Sequence, residues 1–292
     1  MEETVYLNGS LIPYSQARIS AFDQGFLYGY GLFETMRAYK GTIFLLDRHI
    51  KRLMNSAGII GLASRLDSDK LSQACTDTLK ASKLQGARIR LTVSRGETDT
   101  FPGTNTSINP TVLVTAKSYK SLPLEIYSRG YKAMVSSYKS YSQSPLSRLK
   151  STSYLLNVLA KMEAETSGLD EALLLNERGF ITEGSISNVF FAASNTIITP
   201  PPESGILPGI TREVVLELAS IVGIGVVERE VAPGELTELS EVFLTNSVME
   251  IMPLVEISDS TGGITQIGSG VPGKVTGLLM AAYREKVEKE TQ

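Results

Sequence analysis

One cysteine and one histidine stand among 292 residues, and these two scarcities exclude whole classes of chemistry. With Cys75 alone, no disulfide can close within the chain and no cysteine cluster can hold zinc, so no metal site is expected. His49 alone leaves any serine nucleophile dependent on one ring. That ring lies in Leu46-Asp47-Arg48-His49-Ile50-Lys51-Arg52-Leu53, where a lone helical histidine reads as a structural or solvated residue. No apolar stretch approaches a membrane span, and the opening Met1-Glu2-Glu3-Thr4 carries no apolar signal region. A net charge of −3 without runs of like charge argues against nucleic acid as a partner. What is present is an ordinary globular composition, 42% hydrophobic and 20% charged, sufficient for one large domain or two small ones. A cytoplasmic protein acting on small molecules is the expectation.

Val5-Tyr6-Leu7, Asn8-Gly9 and Leu11-Ile12 predict a β-hairpin whose turn supplies two positive φ values. Asp47 is expected to cap a helix with Ile50, Leu53, Met54 and Ala57 on one face, and a second helix follows around Leu71, Ala74, Thr78 and Leu79. Ala87 to Ser94 alternates, placing Arg88, Arg90 and Thr92 on one strand face as a candidate carboxylate trap. Thr111 to Thr115 is another strand. The polar stretch that follows is read as a linker at 117–124, which divides an N-terminal α/β domain (1–116) from a C-terminal domain (125–292). The second half mixes strands at Lys132 to Ser137, Glu171 to Leu175, Asn188 to Ala192, Thr196 to Thr199 and Glu241 to Thr245. Its helices are expected to start near Ser153, Gly209 and Pro272.

Three groups in order carry the chemistry. Lys150, in Ser147-Arg148-Leu149-Lys150-Ser151-Thr152-Ser153-Tyr154, precedes a helical pattern. Glu183 is framed by small residues in Thr182-Glu183-Gly184-Ser185-Ile186-Ser187-Asn188-Val189. Gly209-Ile210-Thr211-Arg212 opens an amphipathic helix whose first N–H groups have no partner within the helix. An amine for a Schiff base, a carboxylate for a pyridinium nitrogen and a phosphate cradle are what holding pyridoxal 5'-phosphate requires. Thr245-Asn246-Ser247 can add donors and Arg52 can add charge.

Together with the opening Phe22-Asp23-Gln24-Gly25-Phe26-Leu27-Tyr28-Gly29-Tyr30-Gly31-Leu32-Phe33-Glu34-Thr35-Met36-Arg37, these stretches resemble the class IV (fold type IV) pyridoxal phosphate aminotransferases over almost the whole chain. The resemblance implies a mixed α/β fold, a small α/β domain and a larger pseudo-barrel domain with the cofactor between them, in a homodimer. It implies that Lys150 is the catalytic amine, that Glu183 partners the ring nitrogen, that Leu207 packs under the ring, and that Arg52, Ile210, Thr211 and Ser247 hold the phosphate. Ser187, Asn188, Gly209, Thr245 and Asn246 complete the expected cofactor contacts. Substrate contacts are expected from Tyr28, Phe33, Thr35, Arg37, Arg88, Arg90, Tyr154 and Val248, with Arg88 slightly ahead of Arg90 for the α-carboxylate.

Within the family the motifs divide. Glu183 to Phe190 looks like the D-amino acid enzymes, Leu207 to Arg212 like the branched-chain ones, and Gly31 to Arg37 with Leu244 to Pro253 like the aminodeoxychorismate lyases. The Arg-x-His trap of the D-amino acid type is absent from Arg95-Gly96-Glu97-Thr98-Asp99-Thr100-Phe101-Pro102. The reading is transamination between an α-amino acid and a 2-oxo acid, with D-amino acids slightly ahead of branched-chain L-amino acids. The alternatives are a lyase of 4-aminobenzoate synthesis and a non-catalytic carrier of the cofactor.

Overall fold

The computed structural model describes residues 3–98, 109–259 and 262–292, so Asp99 to Pro102 of the stretch that lacks the Arg-x-His trap lie outside the described residues. The chain forms two compact units. The first comprises Met1–Lys120, Leu149–Tyr154 and Val287–Gln292, and the second Ser121–Arg148 and Leu155–Lys286.

The first unit begins with strands β1 (Thr4–Leu7) and β2 (Ser10–Pro13), joined through Asn8 and Gly9 at φ 47° and 98°, the two positive values the tight hairpin needs. Helix α1 (Gln24–Tyr28), strands β3 (Gly31–Tyr39) and β4 (Thr42–Ile43), helices α2 (Leu46–Ile59) and α3 (Ser68–Ser82) and strands β5 (Ala87–Ser94) and β6 (Thr111–Ser118) follow. Six strands form one sheet in the order β2-β1-β6-β5-β3-β4. Period-2 alternation sends Leu32, Met36, Ile89, Leu91, Val93 and Val114 to the face covered by α2 and α3, whose Ile50, Leu53, Ala57, Leu71, Ala74 and Cys75 close that core. Asp47 does not cap α2. Leu45, in the left-handed conformation at φ 54°, occupies that position, and Asp47 falls in the first turn, where its charge suits the helix dipole.

The second unit contains α4 (Leu124–Arg129), β7 (Tyr131–Lys139), α5 (Leu155–Thr166), β8 (Glu171–Leu175), β9 (Ile181–Gly184), β10 (Asn188–Ala193), β11 (Thr196–Thr199), α6 (Ile210–Ile221), β12 (Gly225–Glu228), β13 (Glu241–Asn246), β14 (Glu250–Ser258), β15 (Ile264–Gln266) and α7 (Lys274–Glu290). Its sheet closes on itself: β10-β13-β14-β7-β8-β9 returns to β10 through the register pair Asn188 and Glu183, while β11 and β12 extend from β10 and β15 pairs with β14. Closure removes the open edges that a six-stranded sheet would otherwise present. Leu173, Val189, Phe191, Val242, Leu244, Met252 and Leu254 are buried together in its core. The mixed α/β fold expected from the sequence is the one observed. Alternation does not reveal the strands 31–39 and 250–258, because both are buried on two faces over most of their length.

Candidate active site

In the first unit, Lys150 is held by backbone pairing. Residues 150–152 lie antiparallel to the start of β3: Phe33 N–H donates to Lys150 O at 2.8 Å, Thr152 N–H to Gly31 O at 2.9 Å, and Leu32 and Ser151 form a bridge. Gly31 permits this approach, since a Cβ there would stand 2.7 Å from Val93 O and 3.0 Å from Thr152 Oγ1. The Lys150 ammonium lies 4.7 Å from the Phe33 ring centroid and 5.7 Å from that of Tyr154, and the two rings meet edge to face. The Arg90 guanidinium lies 3.8 Å from the same Phe33 centroid. Lys150, Phe33, Tyr154 and Arg90 are therefore one cluster.

Register extends that cluster across the sheet. Thr35 pairs with Arg90 and Arg37 with Arg88, and Arg88 pairs in turn with Lys117, so the face opposite the helices carries a cationic row next to a row of Thr35, Arg90 and Thr115. Arg37 lies against the rings of Tyr39 and Tyr119, at 4.3 and 4.9 Å. Arg88 has no such link to Phe33, so the geometry favours Arg90 over Arg88 as the arginine working beside Lys150. Tyr28, at the end of α1, is half exposed.

On the helix side of β3 the alternation puts a carboxylate in the core. Glu34, 1% exposed, accepts hydrogen bonds from His49 Nδ1 at 2.8 Å, Arg52 Nε at 2.8 Å and Arg52 Nη2 at 2.5 Å. Burial pushes its pKa up, but the Arg52 charge and the bonds from His49 and Arg52 outweigh it and hold the carboxyl at about 2. Burial lowers the His49 pKa against the opposing pull of Glu34, so the ring is neutral near pH 7 and its link to Glu34 is a hydrogen bond, not an ion pair. His49 is thus the structural residue the sequence suggested and not a solvated one. Arg52 is oriented by Glu34. The signal for Glu34 was available in the sequence as an acid at a core-facing position between Leu32 and Met36.

The second unit assembles the other candidates by register. Glu183 on β9 pairs with Asn188 on β10, which pairs with Thr245 on β13, so a carboxylate, an amide and a hydroxyl lie in one row. Glu183 Oε2 accepts from Leu207 N–H at 3.0 Å and from Asn188 Nδ2 at 3.3 Å, and Asn188 Nδ2 also donates to Leu207 O at 2.8 Å. Gly209 precedes the first turn of α6 with no side-chain cap, which leaves the N–H groups of Ile210 and Thr211 to whatever lies before the helix. Asn246 is committed to its own turn, accepting from Val248 N–H at 2.9 Å and Met249 N–H at 2.8 Å. Ser247 and Val248 lie in that turn, after β13.

These features fit a phosphorylated pyridine. The Thr245 hydroxyl is buried without a hydrogen-bond partner, an orphan beside the amide of Asn188. Gly209 is bare where a Cβ would stand 1.9 Å from Asn188 Oδ1. A carboxylate, an uncapped helix start and a free hydroxyl are the acceptor and donors that a ring nitrogen and a phosphate require. Among the described residues no group of histidine, cysteine and acidic side chains could hold a metal ion, and no helix is long and apolar enough to cross a membrane.

Residues 31–257 match the class IV amino-transferase family. A putative branched-chain-amino-acid aminotransferase of Methanocaldococcus jannaschii is 37% identical over 265 residues, covering 90% of this chain and 91% of that protein. Aminodeoxychorismate lyase of Bacillus subtilis is 33% identical over 286 residues, covering 97% of this chain and 94% of the lyase. The crystal structure of the Escherichia coli branched-chain amino acid aminotransferase superposes with a TM-score of 0.91 at 28% identity, covering 100% of this chain and 97% of that one.

Proposed function

As a member of the class IV aminotransferase family, an enzyme family that uses pyridoxal 5'-phosphate, the chain is one for which we propose amino-group transfer from an L-amino acid with a branched apolar side chain to a 2-oxo acid. The carrying observation is the Lys150, Phe33, Arg90 cluster: an amine and a carboxylate-binding fork on one aromatic ring are what an α-amino acid needs at its two ends. The handedness and side chain rest on the similarity to branched-chain enzymes, in place of the slight lean toward D-amino acids.

The cofactor supplies an aldehyde that bonds to amines and a ring that withdraws electrons from the substrate α-carbon. Lys150 Nζ would be the amine that holds the cofactor and the base that moves the proton of the substrate α-carbon. Glu183 would face the ring nitrogen, where a carboxylate favours the protonated ring. The first N–H groups of α6 and the Thr245 hydroxyl would bind phosphate, a role that the family resemblance also gives to Ser247 and Arg52. Arg90 holds the substrate carboxylate through two parallel hydrogen bonds, and Tyr154 walls the amine. Leu207 and Asn188 fix the Glu183 oxygen. The active form is taken to be a homodimer, consistent with Phe22 and Phe26, which are 61% and 77% exposed.

The test is formation of 2-oxo acid by the purified holoenzyme from L-leucine and from D-alanine, with an aminated chorismate tried in parallel. Faster turnover of L-leucine supports the proposal, and faster turnover of D-alanine reverses its handedness. The second reading is the lyase, favoured by the 33% identical lyase and by the extra cations Arg37 and Arg88, which suit a substrate with more than one carboxylate. Release of an aromatic amine without a 2-oxo acid acceptor establishes it. Light scattering that gives a monomer overturns the dimer.

A further inference from the structure

Beyond the groups assigned to cofactor and substrate, the second unit buries one carboxylate whose position in the fold calls for an explanation. Glu171 opens β8 at 1% exposure, ahead of the apolar core residues Ala172, Leu173 and Leu174. Burying an acid there is costly unless its oxygens are matched by donors. They are: Oε1 accepts from the Ser185 hydroxyl, from Ser185 N–H at 3.2 Å and from Ala172 N–H at 3.0 Å, and Oε2 accepts from the Ser187 hydroxyl at 2.9 Å.

Ser185 and Ser187 belong to the turn that joins β9 to β10, closed by Gly184 N–H donating to Ser187 O at 2.6 Å. The residues flanking this turn are Glu183 and Asn188, register partners across it. One buried carboxylate therefore grips both arms of the turn that carries Glu183. Gly184 is part of the same construction: a Cβ there would stand 3.0 Å from Glu171 Oε2 and 2.2 Å from Ser187 Oγ, so only a bare backbone lets the acid reach the hydroxyls. The small residues around Glu183 thus have a physical cause.

We propose that Glu171 is the positioning residue for Glu183, setting the place of its carboxylate through the 184–187 turn. The inference rests on the cofactor role given to Glu183 above. Glu171→Gln keeps the shape but removes the charge: the charge-assisted bond from the Ser187 hydroxyl becomes at best a neutral one with its direction reversed, which loosens the grip on the turn.

The experiment compares Glu171→Gln, Glu183→Gln and the double variant as holoenzymes. It reads the single-turnover rate constant at saturating amino donor, KM, and the pH at which the absorbance of the bound cofactor changes. Glu171→Gln is expected to slow the rate constant roughly ten- to a hundredfold, by analogy with loss of an outer partner of a metal ligand. KM and cofactor occupancy should stay within about twofold of the parent. The absorbance titration should move in the same direction as in Glu183→Gln, a change that loss of packing alone does not produce. The double variant should be no slower than Glu183→Gln, because the two act as one unit. A parental rate and titration in Glu171→Gln, or losses that multiply in the double variant, overturn the proposal. If Glu183→Gln itself keeps the parental rate, the role of Glu183 fails and this inference with it, whereas a slow Glu183→Gln beside a parental Glu171→Gln refutes only the inference. Should Glu171→Gln not fold, Ser185→Ala and Ser187→Ala each remove one donor and are read in the same way.

Discussion

Replacing Glu34 with glutamine tests the charge buried under β3. Its carboxyl is held at about 2 in the folded chain against an ordinary 4.5. At about 1.4 kcal/mol per pH unit, that gap is worth roughly 3 kcal/mol of stability. The folded value is the depressed one, so the contribution is complete above pH 4.5 and disappears as the pH falls through that value toward 2. Glutamine cannot titrate, and it also leaves the Arg52 guanidinium facing a neutral amide where it had a carboxylate 2.5 Å away. Urea unfolding of cofactor-free protein, followed by far-ultraviolet circular dichroism, removes any ligand contribution to the measured stability. The expected gap between parent and Glu34→Gln is roughly 3 kcal/mol at pH 7, narrowing to about 1 kcal/mol at about pH 2.5. His49 works in the same direction from a higher pH, because its folded pKa is also lowered: the unfolded ring takes up a proton below its ordinary 6.5 while the folded one does not. A gap that stays constant between pH 7 and pH 2.5 would show that Glu34 is not a charged anchor.

Lys150→Ala should yield no borohydride-fixed cofactor adduct by mass spectrometry and should lower turnover by about three orders of magnitude or more. An adduct that persists would move the catalytic amine elsewhere. Arg90→Ala should slow the half-reaction or raise KM by about 1.5–3 kcal/mol with cofactor still bound, and Arg88→Ala should cost less. The reverse order would hand the carboxylate to Arg88. Gly209→Ala drives a methyl group to within 1.9 Å of Asn188 Oδ1, so the amide must leave Leu207 and Glu183. Equilibrium dialysis should then show cofactor affinity weakened by about tenfold or more, the scale of one or two lost buried hydrogen bonds, and unchanged affinity would remove Gly209 from the phosphate site.

Local signals were enough for the sequence to determine the elements with a strong period and the residues with a strong chemical type. The Asn8-Gly9 hairpin, the alternating strand from Ala87 to Ser94 and the helix after Gly209 are dictated within windows of a few residues, because φ preference and side-chain alternation act at that range. The ordered Lys150, Glu183 and Gly209 motifs marked the cofactor chemistry for the same reason. Pairing between distant strands is not a local property, and it decided the rest. That residues 149–154 group with the first unit follows from backbone bonds of Lys150 and Thr152 to β3, more than a hundred residues earlier. That Arg90 and not Arg88 meets Phe33 is a matter of register, and that Glu34 and Glu171 are anchored acids depends on donors brought from α2 and from the turn after β9. The residue types were legible in the chain; the partners that make a buried charge tolerable exist only once the sheets have closed.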